Sequence, residues 1–265
     1  MNYKTIPEMF YDVMSSNKDN KMIFYKANDC WNSLKGTEVI NAVENISSGL
    51  FLKGLNSKDK ISILSNTSYK WALCDYGIIC SGMTTVTIYP TLIEDQIKYI
   101  LNNSESKLIF IEDMNQYKRI LNIIEDCPLL KYIVIMNTDV NSSLKSIESL
   151  DDFMSNGFKH KDAIDLKSIN SSIMPNDLLT LIYTSGTTGV PKGVMLSHKN
   201  LLSNIKAVSK IQKNIKNEKF LSFLPLSHIL ERMAGHFYPL YIHSKIYYAE
   251  NMENVGINML EVSPT

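Results

Sequence analysis

A run of glycines, hydroxyl residues and one lysine extends from Tyr183 to Gly193, with the sequence Y-T-S-G-T-T-G-V-P-K-G. Glycine allows the backbone to approach a ligand closely and to adopt positive φ angles. The serine and threonine hydroxyls can donate hydrogen bonds, and Lys192 carries a positive charge. Because successive backbone N–H groups in such a loop form a concave anion site, the segment predicts binding of a polyphosphate.

Another phosphate-binding loop, the P-loop, has the pattern G-x-x-x-x-G-K-[ST] and leads from a strand into a helix. Here Lys192 follows Pro191 instead of glycine, and the glycine spacing also differs. The apolar residues 178–183 favour a strand before the segment, and residues 194–196 favour a short strand after it. The segment is therefore predicted to join two strands, and a helix is expected only after Ser197, a good N-cap.

A histidine occupies the second candidate site, residues 224–232, with the sequence L-P-L-S-H-I-L-E-R. His228 follows a predicted strand and a turn bounded by Pro225, so its pattern suits a ligand contact, a core histidine or a helix cap. Glu231 and Arg232 are neighbours on a predicted helix, where a structural ion pair explains them better than catalysis.

Composition limits the classes of function. The 265 residues include 27 basic and 27 acidic side chains, so the chain lacks the positive charge expected of a nucleic-acid-binding protein. Its four cysteines and five histidines are dispersed without zinc-site spacing, which favours reduced thiols in a cytoplasmic protein.

The chain shows no pattern of a signal peptide or of a membrane-spanning segment. Its N-terminus lacks the apolar core of a signal peptide. The apolar stretch 71–89 is interrupted by Asp75, which predicts a buried helix followed by a strand. These patterns leave peripheral attachment to a membrane open.

Strands and helices alternate through the first half of the chain. This rhythm predicts an α/β fold with a parallel sheet flanked by helices on both faces, because strands covered on both faces are almost entirely apolar. The predicted strands are residues 60–64, 84–88, 108–111 and 132–136, and the predicted helices between them are residues 69–80, 94–101 and 116–125.

Further elements are predicted on either side of this unit. Thr37 is the expected N-cap of a helix that ends at Leu52, with Gly54 just past its end. The polar residues 137–176 are expected to connect two subdomains, residues 1–174 and residues 175–265. The remaining predicted elements are a short helix at residues 149–154, a helix at residues 198–212, and strands at residues 220–224 and 246–248.

Both candidate sites resemble signatures of one superfamily, the adenylate-forming enzymes. Residues 183–193 resemble its phosphate-binding signature, which acyl-CoA synthetases, luciferases and the adenylation domains of peptide synthetases share. Residues 224–232 resemble the next signature in the form seen in long-chain acyl-CoA synthetases. Further segments that resemble this subfamily are residues 61–66, 69–71, 87–91 and 96–104, so that the resemblance covers nearly the entire chain.

The resemblance implies a two-step reaction, in which a long-chain fatty carboxylate attacks ATP to give acyl-adenylate and CoA then displaces AMP. It implies that Lys192 and His228 are catalytic, that His228 lies beside the acyl-adenylate, and that Thr184 can coordinate Mg²⁺. Several long-chain members place an aromatic gate where this chain has Arg232. The residues implied to bind ATP are Thr184, Ser185, Gly186, Thr187, Thr188, Gly189 and Lys192.

The family's downstream signatures for adenine, ribose and the catalytic lysine of adenylation are absent from these 265 residues. The chain is therefore expected to be an incomplete N-terminal domain that is inactive in ligation alone. Two alternatives stay open: a truncated, non-catalytic relative that binds nucleotide or acyl chains, and an adenylating enzyme for another carboxylic acid, such as an amino or aryl acid. The sequence does not indicate an oligomeric state.

Overall fold

The computed structural model describes residues 2–137, 147–184, 191–211 and 218–265. Strands and helices alternate through much of these ranges. In chain order the strands are β1 (Lys21–Ala27), β2 (Cys30–Lys35), β3 (Lys60–Leu64), β4 (Thr84–Ile88), β5 (Leu108–Ile111), β6 (Tyr132–Ile135), β7 (Ile147–Ser149), β8 (Leu178–Thr184), β9 (Lys192–Ser197), β10 (Lys219–Ser222) and β11 (Lys245–Tyr248).

The helices cover the faces of two sheets. A π-helical turn at Arg232–Phe237 connects the short helices at Ile229–Glu231 and Tyr238–Tyr241, so that the segment 229–241 is continuously helical. The helices are α1 (Ile6–Ser16), α2 (Gly36–Leu52), α3 (Tyr69–Cys80), α4 (Glu94–Ser104), α5 (Met114–Leu121), α6 (Leu150–His160), α7 (Leu166–Ser172), α8 (His198–Ile211), α9 (Ile229–Glu231), α10 (Tyr238–Tyr241) and α11 (Val255–Val262).

The larger sheet has seven strands in the order β7-β6-β5-β3-β4-β8-β9. Neighbouring strands pair parallel except β8 and β9, which are antiparallel. Strands β3, β4 and β5 are buried along almost their whole length, as expected when helices cover both faces. The predicted α/β fold with a parallel sheet is confirmed, and the bounds of β3, α3, β4 and β5 agree with the prediction.

The smaller sheet has four strands in the order β10-β11-β1-β2. Strands β10, β11 and β1 run parallel, and β2 pairs antiparallel with β1. Each sheet takes strands from both sides of residue 174, so strand pairing crosses the predicted boundary between residues 1–174 and 175–265. That division into subdomains stays a prediction.

Helix α3 packs between the two sheets, against β3 and β4 on one side and β1 on the other. Every residue from Trp71 to Cys80 is buried, including the charged Asp75. The stretch 71–89 is thus a buried helix followed by a strand, as predicted. Across the described residues, no helix has both the length and the apolar character needed to cross a membrane.

The start of α2 differs from the prediction. The helix begins at Gly36, where a Cβ would lie 2.5 Å from the Met14 carbonyl oxygen, so the close approach of α1 requires glycine. Thr37 is the second residue of the helix and not its N-cap, and its hydroxyl donates to the Lys18 carbonyl at 2.8 Å. The Glu38 carboxylate instead accepts from the backbone N–H of Lys35, the actual N-cap, at 2.7 Å.

Other helix and strand boundaries also differ from the predicted ones. The helix predicted at residues 149–154 extends to His160 from the N-cap Ser149, whose hydroxyl accepts from the Asp152 N–H at 3.0 Å. The helix predicted at residues 116–125 starts and ends earlier, as α5, and a 3₁₀ turn follows it. Strand β10 ends at Ser222, before the predicted residue 224.

Replacing Gly157 with alanine should destabilise the chain, because a Cβ there would lie 1.9 Å from the backbone oxygen of Asn45 in α2. The clash involves backbone, so α6 must shift away from α2, at a cost of about 1–3 kcal/mol. Urea unfolding measures the loss. The control is Gly256→Ala in α11, where no described atom lies within 4 Å of the added methyl group. Equal urea midpoints for Gly157→Ala and wild type would contradict the packing of α6 on α2.

Candidate functional site

The glycine-rich segment lies between two antiparallel strands, as predicted. Strand β8 ends at Thr184 and β9 begins at Lys192, and these two residues are directly paired. Both side chains are exposed. Neither the Thr184 hydroxyl nor the Lys192 ammonium has a hydrogen bond or ion pair within the described ranges, so both are available to a ligand.

The middle of the segment lies outside the described residues. The predicted roles of the following residues therefore stay predictions: Ser185, Gly186, Thr187, Thr188 and Gly189. Helix α8 starts directly after β9, and the Ser197 hydroxyl accepts from the Asn200 N–H at 3.2 Å, which confirms Ser197 as the predicted cap.

Thr184 and Lys192 lie at the edge of the larger sheet where its parallel strands have their carboxyl ends. Strands β3, β4 and β8 run parallel, and β9 begins at the edge where β8 ends. In open α/β sheets, ligands bind outside this edge. The topology therefore places the glycine-rich segment where a ligand site is expected.

The histidine segment is held at the same edge by two threonines. Thr87, which pairs with Ile182 of β8, donates to the Ser227 carbonyl at 3.0 Å. Thr67, in the loop after β3, donates to the Leu224 carbonyl at 2.6 Å and accepts from the backbone of the same turn. These bonds bring His228 to the carboxyl edge, together with Thr184 and Lys192.

His228 caps the short helix α9. Its Nδ1 accepts from the Leu230 N–H at 3.2 Å, and the ring is exposed. Since Nδ1 is an acceptor, Nε2 carries the hydrogen of the neutral ring. The helix-cap role that the sequence left open is confirmed, and the capping bond leaves an exposed N–H donor for a ligand.

Glu231 and Arg232 do not form the predicted ion pair with each other. Arg232 is completely buried, and its guanidinium forms a forked ion pair with Asp75 of α3, in which Nε donates to Oδ2 at 2.9 Å and Nη2 donates to Oδ1. Glu231 instead accepts from the Ser222 hydroxyl at 2.7 Å. The prediction was wrong because the helix turns Arg232 inward, towards a carboxylate 157 residues away in the chain.

Two threonines complete the hydrogen bonds of this ion pair. Arg232 Nη1 donates to the Thr180 hydroxyl of β8 at 2.5 Å. The Thr85 hydroxyl of β4 donates to Asp75 Oδ1 at 2.7 Å. A buried ion pair needs such additional partners to offset the desolvation of both charges. The pair thus connects α3, β4 and β8 with the π-helical turn.

Arg232 also fixes the position of His228. Its backbone N–H donates to the His228 carbonyl at 3.1 Å, so the two residues are one turn apart. Because Arg232 points into the core, its side chain faces away from the edge. The anchored side chain holds the histidine turn against β8, the strand that ends at Thr184.

The electrostatics of Asp75 follow from this setting. Burial by itself raises the pKa of Asp75, but the Arg232 charge and the donors of His236 and Arg232 lower it further than burial raises it, so the carboxyl stays ionised. His236 Nε2 lies 3.4 Å from Asp75 Oδ2, and burial lowers the pKa of this histidine. The cluster is therefore an ionised Asp75 with one buried cation, Arg232, beside a neutral imidazole.

Sequence reasoning missed Asp75 as a residue that supports the site. One signal was available, since Asp75 is the charged residue in the otherwise mostly apolar stretch 71–80 of this helix. A buried charge needs a partner, so a cation from elsewhere in the chain was to be expected. The pattern does not identify that cation as Arg232.

A second histidine, His198, fixes the junction of β9 and α8. It is 3% exposed, and its Nδ1 accepts from the Ile6 N–H of α1 at 3.2 Å. Burial lowers the pKa of His198 from 6.5 to about 4, and Asp177 offsets only part of the effect. The ring is therefore neutral in the folded chain and joins α1 to the strand that starts at Lys192.

The chain matches the model of one protein family, described as AMP-binding enzyme, over residues 12–261. It is 30% identical to a long-chain-fatty-acid–CoA ligase of Xenopus laevis and covers 36% of that protein. It is 31% identical to a long-chain-fatty-acid–CoA ligase of Homo sapiens and covers 40% of it. Each match includes 98% of this chain, which thus spans well under half the length of these relatives.

Solved structures of similar fold include the adenylation domain of a carboxylate reductase from Mycobacterium chelonae. The match has a TM-score of 0.83 and 18% identity, and covers 98% of this chain and 45% of the other. A long-chain-fatty-acid–CoA ligase from Archaeoglobus fulgidus matches with a TM-score of 0.79 and 19% identity, over 100% of this chain and 51% of the other. At these identities the likeness concerns the fold, which is the adenylate-forming fold that the sequence predicts.

Removal of the Arg232 guanidinium should be among the most damaging single changes in this region. Arg232→Met leaves the buried Asp75 carboxylate without its cation, which should lower the free energy of unfolding by about 3–5 kcal/mol. Arg232→Lys should lie between this variant and wild type, since an ammonium cannot form the fork. The measurement is urea unfolding. Lys98→Met, which breaks an exposed ion pair with Asp126, is the control. Equal losses for Arg232→Met and Lys98→Met would contradict the role given to the buried pair.

The neutral His198 ring should make stability depend on pH. Its pKa is lower in the folded than in the unfolded chain, so its contribution is complete above pH 6.5 and decreases as the pH falls towards about 4. The shift corresponds to about 3 kcal/mol. The unfolding free energies of wild type and His198→Gln, measured between pH 7 and pH 4, should converge towards acid pH. The exposed His160→Gln is the control, and a constant difference between wild type and His198→Gln would refute the effect.

Proposed function

This chain belongs to the family of AMP-binding enzymes, and from that premise we propose that it is the N-terminal part of a long-chain fatty acid–CoA ligase. The observation that carries the proposal is the pairing of Thr184 with Lys192 between two strands, at the sheet edge that also holds His228. The relatives named above support the acyl substrate, since both are long-chain-fatty-acid–CoA ligases.

The proposed reaction activates a carboxylate, which is a poor electrophile, in two steps. A carboxylate oxygen of the fatty acid attacks the α-phosphorus of ATP, and the bond to the bridging oxygen breaks to release pyrophosphate. The CoA thiolate then attacks the acyl carbon of the acyl-adenylate and displaces AMP. Phosphoryl chemistry of this kind depends mainly on positioning and on charge neutralisation.

The exposed groups at the strand ends fit the departing pyrophosphate. The Lys192 ammonium has no partner in the described parts of the chain and would balance negative charge on the phosphates. The backbone N–H groups and hydroxyls of residues 185–189 would surround the β- and γ-phosphates. Thr184 offers a hydroxyl oxygen without a partner, which suits Mg²⁺ because this ion is bound largely by phosphates and water, with few protein ligands. When bound, Mg²⁺ neutralises phosphate charge.

His228 would orient the acyl-adenylate. Its exposed Nε2–H can donate to an oxygen of the mixed anhydride, while the capping bond to the Leu230 N–H holds the ring in place. Leu224 and Leu230, on either side of this histidine, are 38% and 55% exposed. These apolar side chains at the edge of the sheet suit an acyl chain better than a polar acid.

A substrate panel tests the proposal against activation of another acid. The complete enzyme that contains this chain is supplied with ATP and CoA, together with hexadecanoate, benzoate or leucine. Acyl-CoA formation should be fastest with hexadecanoate. Preference for benzoate or leucine would overturn the long-chain assignment.

Lys192→Ala and Gly186→Val should each impair the complete enzyme. Loss of a preorganised donor or cation at a developing charge costs about 2–4 kcal/mol of transition-state stabilisation, which lowers kcat/KM for ATP by roughly 30- to 1,000-fold. Steady-state kinetics measure the effect, and Lys118→Ala, which removes an exposed lysine of α5, is the control. Wild-type rates in both variants would refute the role of the segment. The 265-residue chain alone is expected to form no acyl-CoA.

A further inference from the structure

A second candidate site lies at the other end of the smaller sheet. A cavity of 620 Å³ opens where β1 begins at Lys21, β11 begins at Lys245 and β2 ends at Lys35. His228 follows the carboxyl end of β10, which runs parallel to β11 and β1. The cavity is therefore at the amino edge of these strands, away from the proposed ligase site.

Three cations at this cavity lack a counter-ion. The ammonium groups of Lys21, Lys35 and Lys245 form no ion pair or hydrogen bond with any described residue. Lys21 and Lys35 are directly paired across β1 and β2, an arrangement in which like charges repel. Asp19 also lines the cavity, but its carboxylate pairs with none of the three. The cavity thus carries a net positive charge that an anion would neutralise.

A buried hydrogen-bond donor also faces no acceptor. Asn17 Nδ2 donates to the Val13 carbonyl at 2.9 Å and lies 3.0 Å from His243 Nδ1, so Nδ1 must be the acceptor. The orientation of the Asn17 amide is fixed by the Val13 carbonyl, which can only accept, so the amide atom beside it is the donor Nδ2. Nε2 of His243 therefore carries the hydrogen, and this atom is buried without a partner among the described residues. A buried N–H group of this kind requires an acceptor.

Two further features of the cavity are the backbone conformation of His243 and a pair of stacked aromatic rings. His243 has a φ of +57°, the left-handed conformation common just past the end of a helix, and its N–H donates to the Leu240 carbonyl at 2.9 Å, so the end of α10 fixes the position of its ring. Burial lowers the pKa of His243, which keeps the ring neutral and Nε2 a donor. Phe24 and Tyr247, stacked with their ring centroids 4.2 Å apart, form an apolar wall beside the cations.

We propose that this cavity binds a phosphate monoester, whose oxygens accept from His243 Nε2–H and neutralise Lys21, Lys35 and Lys245. A phosphate monoester carries close to two negative charges and three acceptor oxygens, which match three cations and one N–H donor better than a carboxylate does. The same group occurs in soluble organic phosphates and in the headgroup of phosphatidic acid. The site is separate from the ligase site and does not depend on the proposed function.

The test uses the 265-residue chain with ¹⁵N-labelled histidine side chains. Inorganic phosphate is titrated at constant ionic strength, and the His243 Nε2–H signal should shift and saturate. Lys35→Ala combined with Lys245→Ala should weaken binding about tenfold or more, since charge-assisted bonds are lost. Both lysines are exposed, so the thermal midpoint of this variant should stay near that of wild type. Lys192→Ala is the matched control and should leave the His243 response unchanged, whether or not the ligase assignment is right.

A second variant and a second probe complete the experiment. His243→Asn tolerates the left-handed backbone but lacks Nε2, and it should also bind phosphate more weakly. Co-sedimentation with phosphatidylcholine vesicles, with and without phosphatidic acid, tests the lipid headgroup as the source of the monoester. A response to free phosphate or to phosphatidic acid vesicles, lost in the double lysine variant, supports the site. The proposal is overturned if neither probe has an effect, or if the double variant responds like wild type.

Discussion

The buried ion pair between Arg232 and Asp75 is the constraint on which the candidate site depends. Both side chains have no exposed surface, so each charge has lost its water and relies on the other and on two threonine hydroxyls. Such a pair has little tolerance for displacement, because a charge moved away from its partner is left unsatisfied in the interior. The turn that carries His228 is therefore fixed relative to α3 and to β8, although α3 lies far from it in the chain.

In this arrangement the groups that fix the geometry of the site are buried, and the groups proposed to contact a ligand are exposed. The interior holds the charged and hydrogen-bonded groups that determine geometry, while Thr184, Lys192 and His228 are exposed at the carboxyl edge of the larger sheet. Exposed groups at the ends of buried strands can meet a ligand without a rearrangement of the core. The π-helical turn at Arg232–Phe237 carries the buried arginine of this arrangement, and such turns occur frequently at functional sites.

Much of the larger sheet could be predicted because its elements are local. Strand β3, helix α3 and strand β4 are short segments rich in apolar and β-branched residues and bounded by turn residues, and their predicted bounds agree with the structure. Strands β1 and β2 were not predicted, because they are mixed in polarity and β1 pairs with β11, more than 200 residues away. The position of His228 at the sheet edge depends on contacts such as Thr87 to Ser227, which join residues 140 apart in sequence. Strand order and these long-range bonds decide which residues meet, and periodicity carries no information about either.

We propose that the enzyme containing this chain transfers the adenylyl group of ATP to a fatty carboxylate at this edge. The most direct measurement is exchange of labelled pyrophosphate into ATP by the complete enzyme, without CoA, with and without hexadecanoate. Because the first step is reversible, we expect exchange that requires the fatty acid. Absence of exchange with hexadecanoate, or exchange at the same rate without any acid, would contradict it.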